Sequence, residues 1–133
     1  MKMRRLTALL MVVGLIVSAC GGTATATFDL VSATEAHELI ADPPDGLVVL
    51  DVRTPDEFAG PHLSDAVNID FYDTYFSSRL DLLDKDTPYL VYCRSGNRSS
   101  STIEIMKDLG FTEVYELDGG IVKWAEAGLP IEQ

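Results

Sequence analysis

Cys93 heads the run Cys93-Arg94-Ser95-Gly96-Asn97-Arg98, and no other part of this 133-residue sequence is as well suited to chemistry. The run lies between the apolar, β-rich segment Pro88-Tyr89-Leu90-Val91-Tyr92 and the amphipathic stretch Ser99 to Leu109, so the thiol is expected on a strand-to-helix loop. In open α/β sheets ligands bind at the carboxyl ends of strands, and a helix start aims amide N–H groups at an anion. Both features favour a thiolate over a thiol.

An unperturbed thiol has a pKa of about 8.5, so half ionisation at pH 7 asks for roughly 2 kcal/mol of preference for the anion. Loop amides, a helix N-terminus and the nearby Arg94 and Arg98 can supply that together, without a histidine base. Gly96 lets the backbone turn tightly enough to point those amides inward. Arg94 is expected to attract an anionic substrate. Arg98 either binds the same anion or braces the loop against a carboxylate, and Ser95 and Asn97 shape the loop. Asp51 and Arg53, after the apolar run Leu47 to Leu50, are expected on the same sheet edge as a structural ion pair or cap. His62 reads as a turn residue and His37 as part of a polar helix face. With two distant histidines and one internal cysteine, no metal site is expected.

The elements that must position this loop alternate between short apolar runs and amphipathic stretches, the pattern of a parallel sheet with crossover helices. Strands are expected over 47–50, 66–69, 89–92 and 113–117, with 28–31 as an edge strand. Ser32 with Glu35, and Thr54 with Glu57, have capping-box spacing, and Pro55 suits a first helical position. Ala36, Leu39 and Ile40 form one apolar helix face; Tyr75, Phe76, Leu80 and Leu83 form a second; Ile103, Met106 and Leu109 form a third that Gly110 ends. Gly119-Gly120 opens a last helix through Trp124, stopped by Gly128 and Pro130. Trp124 and the tyrosines read as core residues. The fold class is α/β, with one domain over 28–133.

Residues 1–19 have the form of an export signal, with Lys2, Arg4 and Arg5 followed by the apolar run Leu6 to Val17. Val17-Ser18-Ala19-Cys20 resembles the lipobox of bacterial lipoproteins, which implies acylation of Cys20 with a fatty acid such as palmitate and an extracytoplasmic, membrane-anchored protein. Residues 20–27 would be the acylated cysteine and a flexible linker spanning only about 23 to 25 Å when extended. Removal of the three basic signal residues leaves seven basic against 21 acidic side chains, a formal charge of −14. That excludes nucleic acid as a natural partner and assigns membrane attachment to the lipid. With Cys20 acylated, Cys93 is the only thiol left and no intramolecular disulfide can form. A monomer is expected.

Four segments in order resemble the single-domain rhodaneses: Asp51-Val52-Arg53-Thr54-Pro55-Asp56-Glu57-Phe58; His62-Leu63 with Ala66-Val67-Asn68-Ile69; Tyr92-Cys93-Arg94-Ser95-Gly96-Asn97-Arg98-Ser99; and Leu117-Asp118-Gly119-Gly120 with Trp124. The resemblance runs from about Ser32 to Pro130. It implies a five-stranded parallel sheet flanked by helices and a persulfide-forming Cys93 in the loop after the fourth strand. It also implies a sulfurtransferase that passes sulfane sulfur from thiosulfate or a related donor, small molecule or protein, to a thiol or cyanide, with no cofactor. Pro61 and Asp65 stand where the family usually has glycine, and Asp tolerates a left-handed backbone better than most residues.

Three other functions are set against this one. Cysteine phosphatases have five residues between Cys and Arg, whereas four separate Cys93 from Arg98, one too few for a phosphate loop. A non-enzymatic binding module of the same fold would not need the nucleophile that this chain retains, and in a redox sensor Cys93 would only be oxidised. A disulfide oxidoreductase lacks a resolving cysteine.

Overall fold

A computed structural model describes residues 24–133. The export signal and Cys20 lie outside the described residues. Five strands and five helices alternate: β1 (Thr27–Val31), α1 (Ala33–Ala41), β2 (Val48–Asp51), α2 (Pro55–Ala59), β3 (Val67–Asn68), α3 (Phe76–Asp81), β4 (Tyr89–Tyr92), α4 (Asn97–Asp108), β5 (Glu113–Leu117) and α5 (Gly120–Glu126). The strands form one parallel sheet in the order β1-β5-β4-β2-β3. This is the α/β architecture expected from the alternation of elements.

Side-chain parity along the strands divides the core into two layers. In β4, Tyr89 and Val91 join Phe76, Leu80, Ile103 and Met106 on the face covered by α3 and α4. Leu90 and Tyr92 join Ala36, Ile121 and Trp124 on the face covered by α1 and α5. All four β4 residues are buried, as a central parallel strand requires. Cys93 continues the parity of Val91 and so turns toward α4.

The helix starts obey the capping chemistry. The Ser32 and Thr54 hydroxyls accept from the amides of Glu35 and Glu57, and each glutamate accepts in return from its cap residue's amide. Gly110 follows α4, where the Phe111 amide donates to Met106 O and the Gly110 amide to Lys107 O, a Schellman ending.

Element bounds differ from the sequence expectations where apolar runs and hydrogen-bond ladders part company. β2 is shifted one residue, to Val48–Asp51, because Asp51 pairs with Tyr92 although its carboxylate is polar. β3 shrinks to two residues because Ala66 and Ile69 lie beyond its pairing with Leu50 and Asp51. α4 starts at Asn97, two residues before Ser99, because Gly96 at φ 112° turns the chain directly into the helix. Tyr75 departs from the expected apolar face, standing just before α3 and 68% exposed. Asp65 takes a left-handed φ of 55°, the conformation anticipated for it. After α5 the chain returns so that His62 and Glu132 form an antiparallel bridge and Trp124 Nε1 donates to Pro130 O at 2.9 Å.

Sheet order places the site. β2 leads outward to β3 while its neighbour β4 leads the other way to β5, so the loops leaving β2 and β4 diverge at a topological switch point. The Asp51-Arg53 segment and the Cys93 loop flank it.

Candidate active site

Cys93 ends β4 with its sulfur inside the loop. The Gly96 amide donates to Sγ at 3.1 Å, and the Ser99 hydroxyl oxygen stands 3.5 Å from the sulfur. Burial pushes the Cys93 thiol up, but the Ser99 hydroxyl and the amides of Ser99, Gly96 and Ser95 outweigh it and hold the thiol below its ordinary value. The residue is only 1% exposed and touches the apolar layer beneath α4. The loop closes over the sulfur, and an incoming reactant must enter between the loop and its neighbours.

The loop is locked from behind by α5. The amides of Ile121 and Val122 donate to the carbonyls of Cys93 and Arg94 at 3.0 and 3.1 Å. Gly120 makes this approach possible: a Cβ there would overlap both carbonyls, and its φ of 60° is left-handed. The Gly119-Gly120 pair, which the sequence marks only as a helix start, is therefore part of the site's frame.

The three arginines of the predicted site have different surroundings. Arg53 is buried against Asp51: its Nη2 donates to Oδ2 at 2.6 Å, its backbone amide to Oδ1 at 2.8 Å, and Nη2 also reaches Pro61 O at 3.0 Å. Arg98 donates through Nη1 and Nη2 to the two carboxylate oxygens of Glu57, at 2.7 and 2.9 Å, and lies 5.7 Å from the exposed Tyr72 ring. Of the two roles open to Arg98, this is the brace. The Arg98 guanidinium beside Glu57, opposed by partial burial and aided by the Thr54 cap, lowers the carboxyl to about 2. Arg94 is exposed and makes no salt bridge among the described residues. It borders a groove of about 350 Å³ that Arg53, Glu57, Ile121, Val122 and Ile131 also line.

Ser95 and Asn97 are exposed loop positions. His62 Nδ1 lies 2.9 Å from Gly60 O and its ring 4.5 Å from that of Phe58, the expected turn role. His37 meets the edge of Trp124 at 5.8 Å. No cluster of potential metal ligands occurs among the described residues.

Motif reading gives Ser99 only as the last residue of the cysteine segment, without a role, and leaves out Glu116. Ser99, fully buried in the first turn of α4, bonds Gly96 O at 3.1 Å and Glu116 Oε1 at 2.8 Å besides facing the sulfur. Glu116 shares the parity of the buried Val114 on β5, so its carboxylate is directed toward α4. A charged residue at the inward parity of a strand was the available signal.

A parallel sheet whose switch point carries an amide-held cysteine between two braced arginines defines a class, and residues 32–127 match the family described as rhodanese-like domain. The chain belongs to that family. It is 38% identical over 98 residues to a thiosulfate sulfurtransferase GlpE of Ectopseudomonas mendocina, covering 73% of this chain and 84% of that protein. A sulfurtransferase of Allochromatium vinosum is 35% identical over 101 residues, 76% of this chain and 92% of that one. The crystal structure of a rhodanese-related protein from Thermoplasma volcanium superposes with a TM-score of 0.68 at 30% identity, covering 78% and 97% of the two chains. These relationships place the protein among the rhodanese-type sulfurtransferases.

Proposed function

We propose that the protein carries sulfane sulfur as a persulfide on Cys93, taking it from thiosulfate or a related donor and passing it to a thiol. The Cys93 thiolate attacks the outer sulfur of thiosulfate; a new S–S bond forms as the old one breaks, and sulfite leaves with the electron pair. An acceptor thiolate then attacks the terminal sulfur and regenerates the Cys93 thiolate, two-step covalent catalysis with ping-pong kinetics. The observation that carries this reading is the Gly96 amide 3.1 Å from Sγ, with Ser99 beside it, in a loop whose one free cationic side chain among the described residues, Arg94, is exposed next to the cysteine. Thiosulfate is the donor named for the relatives, and an unpaired guanidinium suits its anionic end. The phosphatase alternative meets a loop one residue shorter than phosphate requires.

Intact-mass measurement after exposure to thiosulfate tests the reading: the wild type should gain the mass of one sulfur atom and Cys93→Ser none. No adduct, or hydrolysis of aryl phosphates in its place, would overturn it. We further propose that acylation of Cys20 holds this activity at an extracytoplasmic membrane face. Metabolic labelling with a fatty acid should mark the wild type and miss Cys20→Ala; equal labelling of both would remove the anchor.

A further inference from the structure

The Ser99 hydroxyl owns one proton and faces two groups that can be anions. On one side is Cys93 Sγ at 3.5 Å, on the other Glu116 Oε1 at 2.8 Å. If both were ionised, one of them would lose the hydroxyl and stand unpartnered on that side, so a shared proton is the favoured arrangement. Glu116 lines a second cleft, about 180 Å³, between β1 and α4 and away from the Arg94 groove. The thiol, 1% exposed, has no such opening of its own.

We propose that Glu116 is a positioning residue that governs the ionisation of Cys93 through Ser99, the three forming one proton-sharing chain from the sulfur to the β1–α4 cleft. The balance is simple. The S–H bond breaks and its proton passes to Ser99 Oγ while the Ser99 O–H proton passes to Glu116 Oε1. The negative charge moves from carboxylate to sulfur, and no oxidant or reductant is involved. The thiolate then faces an O–H that points at it, and the proton stays on the carboxylic acid at the cleft.

The surroundings of both ends agree with this. Burial holds the Glu116 carboxyl above its ordinary value, with Ser99 and Lys107 pulling it down and Asp118 and Glu104 pushing it up. Lys107 is itself tied to Glu104 at 2.8 Å, and Asp29 of β1 lines the same cleft. At the other end the Arg98 guanidinium is close enough to interact with Cys93 but is already engaged by Glu57. No fixed cation therefore compensates both anions at once.

The inference deepens the sulfur-transfer reading by naming what controls its nucleophile, and its test reads alkylation, which proceeds whether or not sulfur is transferred. The rate of iodoacetamide alkylation at Cys93 is followed against pH on the full chain by peptide mass spectrometry. In Glu116→Gln the amide donates to Ser99 Oγ and no carboxylate draws the hydroxyl proton away, which leaves it to Gly96 O and the sulfur. The midpoint should fall by about one pH unit, a roughly tenfold rise in rate below it. In Ser99→Ala the midpoint should rise, and adding Glu116→Gln should no longer move it; Ser99→Thr, which keeps the hydroxyl, should restore the dependence. An unmoved midpoint in Glu116→Gln, or equal shifts with and without the hydroxyl, overturns the chain. Should Ser99→Ala fail to fold, the Glu116 carboxyl carbon-13 signal decides: it should show an inflection at the Cys93 midpoint that disappears in Cys93→Ala, and a signal without that inflection overturns the proposal.

Discussion

The two segments that leave neighbouring strands β2 and β4 flank one switch point at the carboxyl end of the sheet and use polar groups in opposite ways. After β2, Asp51 is saturated: Arg53 supplies side-chain and backbone donors, and Asn68 ties the Asp51 and Arg53 carbonyls together at 3.0 and 2.9 Å. After β4, the sulfur has one direct amide and one shared hydroxyl, and the arginine next to it has no acid. A buried ion pair whose hydrogen bonds are all made fixes shape and resists change. Groups left with spare capacity are the ones available to substrate.

The sharpest break in that comparison is Cys93→Ser. Sulfur transfer should fall to the uncatalysed background in a thiosulfate assay while thermal unfolding hardly changes, since a hydroxyl fits the same amide. Gly120→Ala comes next, because it attacks the frame and spares the chemistry. Its Cβ overlaps the Cys93 and Arg94 carbonyls and its φ is left-handed, so a loss of roughly 2–4 kcal/mol is expected in denaturant unfolding. A variant as stable as the wild type would show that α5 does not hold the loop.

These two sites also mark how far the sequence reaches. Cys93, its strand and its loop were legible because apolar runs and capping residues are local signals, and the α/β class followed from their alternation. The two capping boxes were legible to the atom for the same reason. Ser99 and Glu116 were not, since their roles depend on β5 lying beside β4, a pairing of residues 25 positions apart that no local pattern encodes. Arg98 stood between these cases: its charge was visible, but the choice between anion and brace rested on the placement of Glu57, 41 residues away. The burial of the sulfur follows from parity, which carries Cys93 onto the α4 face, and the loop's polar composition carries no sign of it.

Arg94→Ala tests the open side of the comparison at smaller amplitude. Without a partner to orphan, its removal should leave stability within about 0.5 kcal/mol. Loss of one charged contact to an anionic donor should raise KM for thiosulfate about tenfold and move kcat less. The split is read from initial rates across donor concentration. Equal KM values in variant and wild type would leave capture to the amides alone.

The smallest effect is also the most diagnostic of the closed side. Glu57 has its carboxyl lowered from 4.5 to about 2, first by the Arg98 guanidinium and then by the Thr54 cap, against the opposing effect of burial. A carboxyl lowered in the folded state binds fewer protons there than in the unfolded chain. Its stabilisation is therefore complete above about pH 4.5 and is lost as pH falls toward 2. Glu57→Gln should remove that part of the acid limb and leave the rest. The pair joins α2 to α4 with side chains 29% and 15% exposed, so solvent screens it in part and about 1 kcal/mol is expected at neutral pH. Urea unfolding at pH 7 and pH 3 measures both: the difference between wild type and variant should be larger at pH 7. A difference that grows at pH 3 has the wrong sign for a carboxylate brace and would return Arg98 to the anion-binding side of the site.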